Sequence, residues 1–231
     1  MVKHRRVISL IAVLLTGMLL VTNSVFSQEE QAIKKPRRLV PLLSFFVSGN
    51  YFAPSYSDLD AVYQKIERAY RLPAGGDFKN YYSVSAGIRY APVSLQFIEL
   101  EGAGSIYKSQ PSVEGQSNPP TNFIRLYSAT ATYLVRFPIS KISILAGGGA
   151  GMLWLRSERS YPSKAIARVN GELMELHGLA GIEYFHPSGA SFGAKVGYSY
   201  STTVHPQNAD CDFTLKGLTI KIGTNVPLIR I

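Results

Sequence analysis

The sequence YYSVSAGIRYAPVSLQFIELEGAGSIY, at residues 81–107, places two alternating patterns around a proline-containing turn. Before the turn, Val84 and Ile88 fall on one phase, and Ser85 and Arg89 fall on the other. Strict alternation of apolar and polar residues over such a length is typical of a β-strand with two different faces. The stretch therefore predicts a β-hairpin that is apolar on one side and polar on the other.

The same two-residue period recurs along the chain and predicts eight strands. They are expected at residues 40–52, 81–90, 95–107, 123–137, 142–156, 173–185, 191–201 and 213–224. The connections alternate in length, with long links at residues 53–80, 108–122, 157–172 and 202–212, and short turns at residues 91–94, 138–140 and 186–189. This alternation predicts an all-β, eight-stranded antiparallel up-and-down barrel with long loops at one rim and tight turns at the other.

The N-terminus has the pattern of a cleaved signal peptide. Lys3, Arg5 and Arg6 precede an apolar run that is short for a membrane-spanning helix, and cleavage is expected after Ser27. We therefore divide the chain into a signal peptide at 1–27, a basic periplasmic lead-in at 28–38 and a barrel domain at 39–231. Removing three positive charges lowers the formal net charge from +9 to +6, and we expect no nucleic-acid partner for an exported protein.

Composition narrows the chemistry further. Of 231 residues, 46% are hydrophobic and 17% are charged, which excludes long disordered segments and coiled coils. One cysteine excludes an internal disulfide framework and any site that needs several thiolates. After the signal peptide no run of 18 apolar residues occurs, so a membrane-inserted mature chain is expected to cross with strands. We expect no cofactor and no metal.

Charged residues of both signs share the polar phase of the predicted strands. These candidate barrel-interior residues are Arg89, Glu99, Glu101, Glu175, His177, Glu183, Lys195 and Lys221. In a narrow eight-stranded barrel the interior is filled by side chains, and buried charges must pair. We interpret the set as a static, satisfied polar core, with a charge plug that gates a narrow conduit as the alternative.

Aromatic residues recur at matching positions along the strands. Tyr90, Phe137 and Phe185 lead into the three short turns and predict one interfacial girdle, and the second is expected from Tyr107, Tyr127, Trp154, Tyr198 and Tyr200. The fifth strand is different, because four glycines and apolar residues on both phases leave its faces unassigned.

The first long link contains a predicted helix at residues 57–72, whose apolar face holds Leu59, Val62, Tyr63, Ile66 and Tyr70. We interpret it as a structural cover over the barrel mouth, with a surface element that binds a partner or lipopolysaccharide as the alternative.

The last long link gathers His205, Asp210, Cys211 and Asp212. Imidazole, carboxylate and thiolate groups suit metal binding or acid–base work, but a single loop offers no orienting partner, so solvated loop polarity is the preferred interpretation.

In this arrangement the chain resembles the small eight-stranded outer-membrane proteins of Gram-negative bacteria, of the OmpA transmembrane domain, OmpX and OmpW types. The resemblance covers nearly all of residues 40–224, and the final strand, GLTIKI at residues 217–222, looks like the signal such proteins present to the barrel-insertion machinery. Two departures are Leu215, where a polar residue is usual, and residues 226–231, which do not end in an aromatic. The resemblance implies an outer-membrane monomer with periplasmic termini, surrounded by outer-membrane lipids including lipopolysaccharide.

The function expected from this reasoning is a structural or surface-interaction role without catalysis. Three alternatives stay open: a narrow porin-like or hydrophobic-ligand conduit, a lipid A-modifying enzyme, and a soluble exported lipid-binding barrel. The last requires the charged face to lie outside. His177 is followed by Gly178 and Leu179 and lacks the serine two residues on that lipid A deacylases carry.

Overall fold

A computed structural model describes residues 41–55, 57–75, 80–109, 119–163, 165–206 and 214–230, which form eight strands and one helix. The strands are β1 (Pro41–Ser55), β2 (Tyr81–Val93), β3 (Gln96–Ser109), β4 (Thr121–Ile139), β5 (Ile142–Ser160), β6 (Ile166–Phe185), β7 (Ser191–Pro206) and β8 (Thr214–Arg230), and the helix is α1 (Ser57–Tyr70). The predicted signal peptide and lead-in lie outside these residues. Among the described residues, no helical segment has the length and hydrophobicity needed to cross a membrane.

Each strand pairs antiparallel with the next, and β8 pairs with β1 to close the barrel. In the closing pair Val47 lies opposite Thr224 and Tyr51 lies opposite Ile220. Closure removes the free strand edges that an open sheet would expose. The predicted eight-stranded up-and-down antiparallel barrel is confirmed.

The two faces of the strands have the polarity that the alternation predicts. In β2, Val84 and Ile88 are exposed on the outside, whereas Ser85 and Arg89 are buried inside. An apolar exterior around a polar interior is the arrangement of a membrane barrel. The soluble-barrel alternative needed the charged face outside and does not fit this structure.

The three short turns lie at one end of the barrel, which we call the short-turn end. The opposite end, where α1 connects β1 and β2, is the lid end.

The predicted long link at residues 157–172 is wrong, because β5 runs to Ser160 and β6 begins at Ile166. Alternation continues through Ser157, Arg159 and Val169, whose buried side chains extend the walls of the barrel. Residues 110–118, within the predicted link at 108–122, and residues 207–213, which include the end of the predicted link at 202–212, lie outside the described part.

The structure also assigns the faces of β5. Leu145, Leu153 and Leu155 are buried inside, whereas Ile144 and Trp154 are exposed outside. The glycines at 147, 149 and 151 share the inward phase, so they supply no side chains to the interior at this level. Periodicity was ambiguous because these glycines removed the polar residues that mark the inner face elsewhere.

The aromatic girdles agree with the prediction except at two residues. Tyr90 and Phe137 are exposed near the short-turn end, but the Phe185 ring lies 4.4 Å from the Arg136 guanidinium and belongs to the interior. Near the lid end, the exposed aromatics include Tyr127, Trp154, Tyr198 and Tyr200. Tyr107 instead packs against the buried core, because it shares the inward phase of β3.

Candidate functional site in the barrel interior

The interior near the short-turn end is crossed by ion pairs. Arg89 on β2 donates hydrogen bonds to Glu99 on β3 at 2.7 and 3.1 Å, and its Nη1 lies 2.5 Å from Oε1 of Glu183 on β6. Lys195 on β7 contacts both carboxylate oxygens of Glu99 at 2.6 and 2.7 Å. Strands β2 and β6, like β3 and β7, stand at opposite positions in the ring of eight. The Arg89–Glu183 and Lys195–Glu99 pairs therefore span the full width of the bore.

Further polar groups satisfy the Glu183 carboxylate. Ser191 donates to it at 2.5 Å, the Asn225 amide donates at 2.8 Å, and Arg136 lies 3.3 Å from its second oxygen. Buried charges are tolerated when partners and hydrogen bonds replace the lost water. We call Arg89, Glu99, Arg136, Glu183 and Lys195 the ion-pair plug.

Arg136 is the member of this plug that sequence reasoning missed. Its guanidinium lies 5.1 Å from the Phe97 ring centre, and that of Arg89 lies 4.1 Å from the same ring. Stacking on an aromatic face suits the weakly hydrated guanidinium. The signal was present in β4, where Arg136 follows Thr132 and Leu134 on the inward phase.

A second polar layer lies nearer the middle of the bore. Lys221 contacts both carboxylate oxygens of Glu101 at 2.8 Å. His177 shares a 2.8 Å hydrogen bond with Thr132 through Nε2, and its Nδ1 lies 3.6 Å from Glu175. The sequence-predicted interior residues are thus all inside the barrel, but they form two layers rather than one network.

Gly149 explains how His177 reaches Thr132 across an intervening strand. The register aligns Thr132 on β4, Gly149 on β5 and His177 on β6 in one row. A Cβ atom added at Gly149 would lie 2.8 Å from His177 Nε2, a distance too short for packed atoms. The missing side chain therefore leaves the space that the imidazole occupies.

A cavity of about 70 Å³ lies beside this middle layer. Its titratable lining residues are Glu101, Glu175, His177, Lys195 and Lys221. The volume suits a few water molecules held by polar groups, and it is small for a lipid or an organic cofactor. Within the described part of the chain, no group of three or more His, Cys, Asp or Glu residues is placed to hold a metal ion.

Helix α1, which we call the lid, closes the other end of the bore. Leu59 and Tyr63 are fully buried, and Val62 is nearly so. They pack against inward-facing side chains of the barrel, including Phe52, Tyr81, Ile124, Leu126, Leu153, Leu155, Leu173 and Leu215. The predicted cover over the barrel mouth is confirmed, and Leu215 is apolar because it faces the lid.

Polar contacts hold the lid to the end of β5. The fully buried Arg159 donates to Glu67 of α1 at 2.8 Å and to Asn122 at 2.7 Å. Tyr161 donates to the same Glu67 oxygen at 3.0 Å. The Arg159 guanidinium also lies 4.5 Å from the Tyr63 ring centre. Sequence reasoning missed this anchor because it placed Arg159 in a loop and did not include Glu67 among the residues of the packed helix face.

Two phenol groups at this anchor have raised pKa values. Burial raises the pKa of Tyr63, whose hydroxyl donates to Ser157 at 2.9 Å. Burial also raises the pKa of Tyr161, and the neighbouring Glu67 carboxylate adds to the increase. Both groups therefore stay neutral in the docked lid at pH values where an exposed phenol ionises.

The helix ends two residues earlier than predicted. Arg71 adopts a left-handed conformation with φ of 52°, and the Leu72 amide donates to the Glu67 carbonyl at 2.9 Å, which is a Schellman end. Tyr70 was expected on the packed face but is 74% exposed. The first turn is fixed by Asp58, whose carboxylate accepts bonds from the Thr214 hydroxyl at 2.5 Å and amide at 3.1 Å.

The described residues include only part of the cluster predicted in the last long link. The backbone of His205 belongs to β7. Asp210, Cys211 and Asp212 lie outside the described residues. Solvated loop polarity stays the prediction for this cluster, with metal binding or acid–base work as the alternative.

No protein-family model matches the sequence, and no curated protein matches it. The structure is similar to that of Ail, the attachment invasion locus protein of Yersinia pestis, solved in complex with the heparin analogue sucrose octasulfate. That similarity has 15% identity and a TM-score of 0.50 and covers 84% of this chain and 100% of Ail. Neisserial surface protein A shares 12% identity with a TM-score of 0.48, over 80% of this chain and 97% of its own. The chain has the fold of the small eight-stranded outer-membrane β-barrel proteins.

Proposed function

We propose that the protein is an integral outer-membrane barrel with a sealed bore and a structural or surface-interaction role. The observation that carries this proposal is the Arg89–Glu183 ion pair, which joins opposite walls of the barrel. Side chains that bridge opposite walls leave the lumen filled rather than open. A barrel of this kind acts through its outer surface and its rim.

The exterior supports insertion into a membrane. Large apolar side chains are exposed around the wall, including Val84, Ile88, Leu100, Ile144, Ile182, Val196, Ile220 and Ile222. A monomeric soluble protein rarely exposes such a continuous apolar surface. With the predicted signal peptide, this surface supports location in the bacterial outer membrane.

Two alternatives receive less support from the geometry. A conduit would need a path past the ion-pair plug and past the lid, which fill the two ends of the bore. A lipid A-modifying enzyme would need reactive groups in contact with lipid, whereas His177, Thr132 and Glu175 face the interior. We expect unchanged lipid A in cells that overproduce the protein.

The rim at the lid end supports a surface-interaction role. The lid buries one face in the barrel and exposes the opposite face, which carries Gln64, Lys65 and Arg68. Recognition residues are often placed on segments that a rigid scaffold positions. The exposed basic side chains suit an acidic or anionic partner outside the cell.

Membrane fractionation combined with a heat-shift gel tests this proposal. We expect the full chain in the outer-membrane fraction, with faster migration before boiling than after it, because a closed barrel stays compact in detergent. Protease added to intact cells should cut at the lid end. A soluble periplasmic protein without a heat-dependent shift would contradict the proposal.

A further inference from the structure

Four basic side chains form a group on the outer wall near the lid end. They are Lys108 on β3, Arg125 on β4, Arg156 on β5 and Arg168 on β6, and all are exposed. We call them the basic patch. They are not part of the interior network, and the sealed-barrel proposal gives them no role.

The sheet register brings these cations together on neighbouring strands. Arg125 lies directly across the strand pair from Arg156, and Arg168 lies across from Glu158. Like charges directly opposite each other destabilise a sheet. An anion bound between the two strands would therefore reduce the repulsion between Arg125 and Arg156.

Carboxylates neutralise only part of this charge. Glu158 contacts Arg156 at 2.8 Å and Arg168 at 3.4 Å, and it holds both guanidinium groups on the same side of the wall. Glu172 lies across from Trp154 on the next row. Among the described outward-facing residues of β3 to β6, four cations thus stand beside two carboxylates, and the patch keeps a net positive charge.

The patch lies at a defined depth on the wall. One step along the strands toward the short-turn end, the next outward pair is Tyr127 and Trp154, both exposed members of the aromatic girdle. Such girdles mark the level where the hydrocarbon meets the headgroups. The basic patch therefore lies just beyond the hydrocarbon, at the level of the lipid headgroups on the lid side.

We propose that the basic patch binds the phosphate groups of a phosphorylated lipid of the lipopolysaccharide class, with the acyl chains against the apolar wall below it. Guanidinium groups match phosphate oxygens in a bidentate geometry, and basic clusters at the membrane interface select anionic headgroups. This inference rests on the proposed outer-membrane location, and it names the lipid that one sector of the wall prefers.

The single tryptophan of the chain reports on this site, because Trp154 is two residues from Arg156. We would refold the full chain in neutral detergent and titrate it with bisphosphorylated lipid A, and separately with the same lipid after removal of its phosphates. Trp154 fluorescence and native mass spectrometry would follow binding. We expect the phosphorylated lipid to bind at least about tenfold more tightly.

Variants test which part of the outer wall gives the preference for the phosphorylated lipid. The double variant Arg125→Gln/Arg156→Gln is expected to lose the preference for the phosphorylated lipid. Lys216→Gln should keep it, because Lys216 is an exposed cation on β8, away from the patch. Equal affinity of the unaltered protein for the two lipids would overturn the proposal without depending on any variant. Retention of the preference by the double variant would overturn it as well.

A competition with inorganic phosphate separates a lipid site from a general anion site. We expect millimolar phosphate to leave lipid binding nearly unchanged, because the acyl chains also contact the wall. Displacement of the lipid by the same millimolar phosphate would contradict the proposal. The heat-shift gel on the same sample tests the barrel itself, so failure of this lipid site is distinguishable from failure of the proposed function.

Discussion

At the short-turn end, Arg89 and Glu183 close the bore with charges carried by the barrel strands themselves, whereas at the lid end a separate helix closes it with apolar side chains. The ion-pair plug is positioned by strand register, so it cannot leave without distorting the barrel. The lid is positioned by the burial of Leu59 and Tyr63 and by the Arg159–Glu67 contact. We therefore expect that the lid can be released while the barrel stays intact.

This difference indicates where change is tolerated in the molecule. Disruption of the ion-pair plug leaves unpaired charges in the closed interior, and this lowers the stability of the whole barrel. Disruption of the lid exposes apolar side chains at one rim, and this weakens only the docking of the helix. Substitutions at the two ends are therefore expected to give global and local effects respectively.

The largest effect is expected from Glu183→Ala in the ion-pair plug. Removal of this carboxylate leaves Arg136 without its ion-pair partner and Arg89 with Glu99 alone, and an unpaired buried charge costs about 3–5 kcal/mol. The free energy of unfolding, measured by denaturant titration in detergent, should fall by this amount. Glu158→Ala on the outer wall is the control and should change it by about 1 kcal/mol or less. Equal effects of the two variants would contradict the global role of the plug.

A smaller and local effect is expected from Leu59→Ala in the lid. Leu59 is fully buried, and truncation of such a side chain costs about 3 kcal/mol. We expect faster protease cleavage within α1, with the heat-shift of the barrel unchanged. Gln64→Ala on the exposed face should leave cleavage unchanged. Loss of the heat-shift in Leu59→Ala would show that the lid and the barrel fold as one unit.

The polar anchor of the lid should contribute less than its apolar face. Glu67→Gln removes the charge that pairs with Arg159, and loss of a charge-assisted hydrogen bond costs about 2 kcal/mol. Hydrogen exchange of the α1 amides should speed up accordingly, with Lys65→Gln as the exposed control. Exchange rates equal to those of the unaltered protein would assign lid docking to apolar burial alone.

Ionisation of the buried phenols is expected to have the smallest effect on lid docking at neutral pH. The pKa values of Tyr63 and Tyr161 are raised in the docked lid, chiefly by burial. A raised pKa means that the released state loses protons first, so docking weakens as the pH rises through about 10. Protease sensitivity of α1 should therefore rise above about pH 10 and stay constant below it. Tyr63→Phe should flatten this dependence, and a steep change near neutral pH would disagree with it.

Sequence reasoning predicted the parts of this comparison that depend on alternation. The inward phase placed Arg89, Glu99 and Glu183 together, because strand register and a closed ring bring one face of every strand into a single bore. It did not predict which charges pair, because Arg89 finds Glu183 across the ring rather than along the chain. Pairing across a lumen depends on strand stagger, which a local pattern does not specify.

The lid end was predicted less completely. The apolar face of α1 was visible at Leu59 and Val62, but the contact of Glu67 with Arg159 joins two segments that are far apart in sequence. The fifth strand was predicted to end at Arg156, and Glu158 was assigned to the loop that follows it. In the structure they face outward from a strand that extends above the aromatic girdle.

Single-channel recording in planar bilayers shows whether the bore is sealed. The refolded full chain should be electrically silent, and the variants Glu101→Gln and Lys195→Met should leave it silent while the lid is docked. A steady unit current from the unaltered protein, changed by either variant, would contradict the sealed bore and favour a conduit through the two polar layers.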